Sequence, residues 1–119
     1  MSLWKVYEYA KCSTCKNALS FLDRKKIKYS KVAIVDQPPT EAELKKMLGY
    51  LGGNLKKLFN TSGIQYRELG MSEKLKTLSE AEAIQLLSKN GKLVKRPFLL
   101  GEGTGTVGFN EIEWGKLIS

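Results

Sequence analysis

Tyr9-Ala10-Lys11-Cys12-Ser13-Thr14-Cys15-Lys16 lies between a run that reads as a strand and a run that reads as a helix, and that hand-over decides the fold. Upstream, Leu3, Trp4, Val6 and Tyr7 are strand formers. Downstream, Cys15, Ala18, Leu19 and Leu22 recur at i, i+3, i+4 and i+7, one face of a helix. Arg24-Lys25-Lys26 supplies the basic last turn that a helix dipole favours. Tyr29 to Val35, with Val32, Ile34 and Val35 apolar, reads as a second strand. Strand, helix, strand in the first 35 residues implies a parallel βαβ unit.

Beyond it, Pro38-Pro39 breaks the chain, and Thr40 with Glu43 forms a capping box for a helix carrying Leu44, Met47, Leu48 and Leu51 on one face. Gly52-Gly53 ends that helix. Leu55 to Phe59 suits one short helical turn, and Asn60-Thr61-Ser62-Gly63 is turn chemistry. Ile64 to Leu78 reads as helix in patches, interrupted at Gly70. Ser79 with Glu82 is a second capping box, ahead of Ala83, Ile84, Leu86 and Leu87, and Asn90-Gly91 ends this helix. The period then changes. Leu93-Val94, Phe98 to Leu100 and Thr106 to Phe109 read as extended, with a hairpin turn at Gly101 to Gly105. Asn110 caps a last helix with Glu113 at its third position and Trp114, Leu117 and Ile118 facing inward. The order β-α-β … β-β-α is the thioredoxin arrangement. The expected architecture is α/β: one domain over residues 1–119, with a four-stranded mixed sheet from 1–36 and 92–119 and a helical insertion at 37–91.

Composition narrows the chemistry. With 119 residues and an ordinary apolar content, the chain suits one packed domain. No apolar run reaches the roughly 20 residues a bilayer span needs. Met1-Ser2-Leu3 passes directly into Trp4-Lys5-Val6-Tyr7 with no apolar signal segment, so a cytoplasmic protein is expected. Histidine is absent, which excludes Ser-His and Cys-His dyads and imidazole metal ligation. The net charge of +8 comes almost wholly from lysine, since Arg24, Arg67 and Arg96 are the only arginines. Scattered lysine is a solvated surface more than a nucleic-acid reading face, so no direct nucleic-acid contact is expected.

The only cysteines, Cys12 and Cys15, stand three apart at the strand–helix junction. The first lies where free N–H groups and the helix dipole favour an anion, which promotes the thiolate. The second, one turn below, is placed to attack a mixed disulfide formed at the first. Lys11 and Lys16 flank the pair, and Ser13 and Thr14 lie between the cysteines. Two inert core cysteines, or half of a metal site shared between two copies, are the competing readings. The junction position favours redox chemistry. Arg96-Pro97 is the second signal: a proline opening a strand beside such a loop suits a cis bond, whereas an edge strand with a surface arginine is the plain alternative.

Taken with Asn60-Thr61-Ser62-Gly63, Tyr66-Arg67-Glu68-Leu69-Gly70, Lys95-Arg96-Pro97 and Val107-Gly108-Phe109-Asn110-Glu111, the cysteine segment resembles the arsenate reductase-like (ArsC) family, which includes the Spx-type redox regulators. The resemblance runs from Leu3 to Leu117. It implies that Cys12 is the nucleophile, that Cys15 resolves by forming a Cys12–Cys15 disulfide, and that Arg96 holds an oxyanion or supports the thiolate. Glutathione/glutaredoxin or thioredoxin would be the reductant, with no bound cofactor and no metal. The arsenate reductases that couple to glutathione use two further arginines, where this chain has Asn60 and Gly108 or Phe109, leaving Arg67 as the one substitute. Spx-type chains carry an arginine where this one has Ser62, and bind the C-terminal domain of the RNA polymerase α subunit. Expected partners are therefore a thiol or oxyanion substrate, or that polymerase domain, with no membrane contact and a monomeric state.

Overall fold

In a computed structural model, which describes residues 4–118, the strands are β1 (Trp4–Glu8), β2 (Tyr29–Ala33), β3 (Phe98–Leu100) and β4 (Gly105–Val107). Leu3, assigned above to the first strand, lies outside the described residues. The helices are α1 (Ser13–Arg24), α2 (Glu41–Tyr50), α3 (Ile64–Glu68), α4 (Met71–Lys74), α5 (Glu80–Ser88) and α6 (Glu111–Ile118). Short 3-10 turns cover Leu55–Leu58 and Gly91–Leu93. The sheet order is β2-β1-β3-β4: β1 pairs in parallel with β2, from Trp4↔Tyr29 to Glu8↔Ala33, and antiparallel with β3, and β3 pairs antiparallel with β4. This is the mixed, thioredoxin-like sheet that the element order implied. No helix among the described residues is long and apolar enough to cross a membrane.

Alternation along the strands divides the core in two. Trp4, Val6 and Leu99 face α1 and α6 and pack with Ala18, Phe21, Leu22 and Trp114. Tyr7 and Phe98 face the other way, ring edge to ring face at 5.6 Å, into a cluster with Ile34, Leu44, Met47, Phe59, Ile84 and Leu87. The helices between β2 and β3 are thus held to the sheet by a shared apolar layer.

Both capping boxes form. Thr40 and Glu43 exchange side chain and backbone bonds at 3.0 and 3.1 Å, and Ser79 and Glu82 do so at 2.9 and 3.1 Å. Asn110 caps α6 by accepting from the N–H groups of Ile112 and Glu113. Three expectations need correction. β2 stops at Ala33, because the Ala33 carbonyl accepts from the N–H groups of Asp36 and Gln37 and closes a turn; Ile34 is still buried and its N–H donates to Glu8 O at 2.9 Å. Leu93 lies in a 3-10 turn and not in a strand: its N–H donates to Asn90 O at 2.9 Å and the Val94 N–H to Gly91 O at 3.2 Å, with Gly91 close against the Ile34 carbonyl. β4 ends at Val107, because Gly108 adopts a positive φ of 71° and turns Phe109 toward Phe21 and Trp114.

Glu43 does more than cap. It lies partly buried and accepts from Tyr7 Oη at 2.6 Å and Lys5 Nζ at 2.9 Å, so it ties α2 to β1. Burial alone would raise its carboxyl. Hydrogen bonds from Tyr7, the Thr40 backbone and Lys5 outweigh burial and hold it below the usual carboxylate range. Glu43→Ala removes the cap and leaves Tyr7 Oη without its acceptor, and is expected to cost about 2–4 kcal/mol. A drop in urea midpoint at unchanged m-value is the readout. Because the folded-state pKa is lowered, the contribution of Glu43 is complete above the unfolded value of about 4.3 and is lost as pH falls through the folded one. Glu43→Gln should therefore flatten stability against pH below about 4.3; an unchanged acid limb would refute the network.

Candidate functional site

Cys12 is the N-cap of α1, in extended conformation, and its Sγ accepts from the Cys15 N–H at 3.2 Å. The backbone N–H of Cys12 donates to Tyr9 O at 3.0 Å, and its carbonyl receives the Lys16 N–H at 3.1 Å. The β1–α1 junction therefore fixes the first sulfur over the open end of the helix, half-exposed, with the second beneath it. Cys15 is fully buried. Burial pushes its thiol up, its hydrogen bond with Cys12 adds to that, and the Tyr9 backbone and the Arg96 charge oppose; the result is about 12. Both residues are free thiols.

The Arg96–Pro97 bond is cis, and Pro97 is buried at the start of β3. The Arg96 guanidinium lies over the Tyr9 ring, 4.8 Å from its centroid. Its Nη1 is enclosed by protein without a hydrogen-bond partner. Tyr9 and Arg96 line a cleft of about 600 Å³ together with Asn60, Ser62, Gly63, Ile64, Gln65, Glu68 and Lys92. The cleft therefore mixes two cations with one carboxylate, and Ile64 stands exposed at it.

The remaining sequence candidates divide. Lys11, Ser13, Thr14 and Lys16 are exposed around the cysteine pair. Arg67 is also exposed, but it lies on the part of α3 that does not line the cleft, whereas Ile64, Gln65 and Glu68 do. Arg67 is thus not among the residues that share this cleft with Arg96. Tyr9, Glu68 and Lys92 were not picked out as site residues. Tyr9 and Glu68 carried a signal, Tyr9 standing three residues before Cys12 and Glu68 lying in the Tyr66–Gly70 motif; Lys92 carried none. Among the described residues, no group of three or more Cys, Asp or Glu side chains is arranged to hold a metal ion.

Comparison with known proteins agrees with this fold. The model of the ArsC family matches residues 7–117. The uncharacterized protein YusI of Bacillus subtilis is 44% identical over 105 residues, which span 88% of this chain and 89% of that protein. The global transcriptional regulator Spx of Streptococcus mutans is 29% identical over 102 residues, 86% of this chain and 73% of that one. Among solved structures, a Bacteroides fragilis protein described as ArsC family related superposes with a TM-score of 0.88 at 46% identity, covering 98% of this chain and 96% of its own. With the family model matching residues 7–117, which include both cysteines and most of the sheet, the chain belongs to the ArsC family.

Proposed function

We propose that this protein is a thiol–disulfide oxidoreductase of the cell interior. The observation that carries the reading is the arrangement of the two sulfurs: Cys12 half-exposed at the α1 N-cap, with Cys15 buried one turn below and its N–H on the Cys12 sulfur. The Cys12 thiolate attacks one sulfur of a substrate disulfide, forming a mixed disulfide and expelling the other sulfur as a thiolate. The Cys15 sulfur, giving up its proton, then attacks Cys12 Sγ. The bound half leaves as a thiol and a Cys12–Cys15 disulfide remains. A dithiol such as thioredoxin, or two equivalents of glutathione, returns both cysteines to thiols as it is itself oxidised.

Cys15→Ser blocks the second step. Treated with glutathione disulfide, that variant should hold one stable adduct on Cys12, whereas the intact protein should release it and accumulate the internal disulfide. An adduct found on the wrong sulfur, or an intact protein that stalls at the adduct, would defeat the scheme. Peptide mass spectrometry after acid quench distinguishes these outcomes.

A second reading follows from the similarity to the protein named global transcriptional regulator Spx. In it the same cysteine pair is a switch, and the partner is the C-terminal domain of the RNA polymerase α subunit. Binding to that domain by the oxidised protein, weakened on reduction, would select this reading over the enzymatic one.

Arsenate is expected to be a poor substrate. A tetrahedral dianion needs several forked donors, and the cleft offers one arginine, with Asn60 beside it and Glu68 opposing further negative charge. Each charge-assisted hydrogen bond contributes roughly 1.5–3 kcal/mol. Two missing arginines then correspond to about 3–6 kcal/mol, or about 10²–10⁴-fold in effective binding. Reductant-coupled NADPH oxidation with arsenate as oxidant should show no saturable turnover at micromolar arsenate. Turnover that disappears in Cys12→Ser would reverse the ranking.

A further inference from the structure

Arg96 presents an unusual combination. A guanidinium has five N–H donors in one plane and no acceptor. Here it makes no side-chain hydrogen bond and no ion pair among the described residues, and its Nη1 is enclosed without a partner. Buried or half-buried arginines are normally held by carboxylates or carbonyls, which occupy the donors. This one is held by the face of the Tyr9 ring, 4.8 Å from its centroid. The ring contact takes up none of the N–H donors, and with Nη1 enclosed the edge left without a partner is the Nε–Nη2 side. The Tyr9 carbonyl meanwhile accepts the Cys12 N–H at 3.0 Å. One residue thus supports the nucleophile through its backbone and the arginine through its ring.

We infer that Tyr9 is a positioning residue that keeps Arg96 as an open fork for a carboxylate carried by the substrate's thiol half. The inference rests on the thiol–disulfide reading of the site. Two features favour a planar monoanion over a tetrahedral dianion. The fork is single, and a carboxylate fits a single fork with two parallel bonds. Glu68 lines the same cleft and disfavours a second negative charge there. Lys92, also in the lining, reinforces attraction without geometric selection.

The test compares three symmetrical disulfides of similar size: those of 3-mercaptopropionate (anionic), 2-mercaptoethanol (neutral) and cysteamine (cationic). The rate of adduct formation on Cys12 in the Cys15→Ser background is measured for each. The neutral disulfide alone tests the thiol–disulfide reading. The ratio of anionic to neutral rates tests the fork. That ratio is expected to be about tenfold for the parent, to persist in Tyr9→Phe, which retains the ring, and to fall near one in Tyr9→Leu and Arg96→Gln. The preference should appear as a lower half-saturating concentration and not as a faster maximal rate. Salt should weaken it. A parent ratio near one, a ratio retained in Tyr9→Leu, or loss in Tyr9→Phe as complete as in Tyr9→Leu would each overturn the assignment. An independent measurement needs no reactivity: the Arg96 Nε–H resonance, followed by NMR, should move on titration with propionate and move less at equal orthophosphate. Stronger perturbation by orthophosphate would identify an oxyanion site and refute the carboxylate fork.

Discussion

Cys12→Ser is expected to leave a protein whose remaining thiol scarcely reacts at neutral pH. Cys15 is fully buried and its thiol is pushed up to about 12, chiefly by burial. At pH 7 its thiolate fraction is then about 10⁻⁵, against about 3% for an ordinary thiol with a pKa near 8.5. Alkylation by iodoacetamide should run about 10³-fold slower than at an ordinary thiol, before burial further restricts access. The rate should climb about tenfold per pH unit toward 12, until unfolding intervenes. The hydrogen bond between the cysteines contributes to the shift and is lost in this variant, but burial, the leading cause, stays. Cys15→Ser retains the half-exposed Cys12 and should be alkylated at least about 10³-fold faster than Cys12→Ser at pH 7. Similar rates in the two variants would mean that the roles of nucleophile and resolving thiol are wrongly assigned.

Gly91→Ala is expected to be the most damaging single-methyl change in the chain. A Cβ at Gly91 would stand 1.8 Å from the Ile34 carbonyl oxygen, 2.7 Å from its carbon and 3.0 Å from Val35 Cα. All three are backbone atoms where the chain leaves β2, so no side chain can rotate aside. Overpacking usually costs 1–3 kcal/mol, and with a backbone obstacle the expectation is at least about 3 kcal/mol. That corresponds to a fall in Tm of roughly 10–15 °C for a domain of this size. Gly49→Ala is the matched control. It lies inside α2 with nothing within 4 Å of its Cβ position, and should stabilise by up to about 1 kcal/mol. Equal melting temperatures for the two variants would show that the close approach is absent in solution.

These cases also mark what was legible in the sequence. Caps at Thr40, Ser79 and Asn110 were readable because donor and acceptor lie within three residues of each other. So was the cysteine junction, where the change of period and the pair of thiols share one segment. The end of β2 and the turn at Leu93 were not readable as such. The first is a local turn closed on the Ala33 carbonyl, hidden by the apolar run Val32, Ile34 and Val35; the second lies where Gly91 meets Ile34, far away in the chain, a contact that no periodicity records. The Tyr9–Arg96 stack is likewise a product of tertiary structure.

The contact between Gly91 and Ile34 has an entropic consequence as well. It brings together the two points at which the chain departs from the sheet after β2 and comes back ahead of β3. Everything between is a closed loop whose ends touch, and the entropy of closing a flexible loop grows only with the logarithm of its length, about 0.6 kcal/mol per doubling. The sheet, with both cysteines on its first crossover, is thus nearly indifferent to how long that excursion is. What it does require is an apolar cover for Tyr7 and Phe98. Any replacement segment that supplies such a cover, keeps a glycine at its return point and preserves the wall bearing Asn60 and Ser62 would leave the chemistry of the sulfurs in place while changing what reaches them. In this architecture a whole segment could be exchanged to alter the cleft wall while the cysteine pair stays where it is.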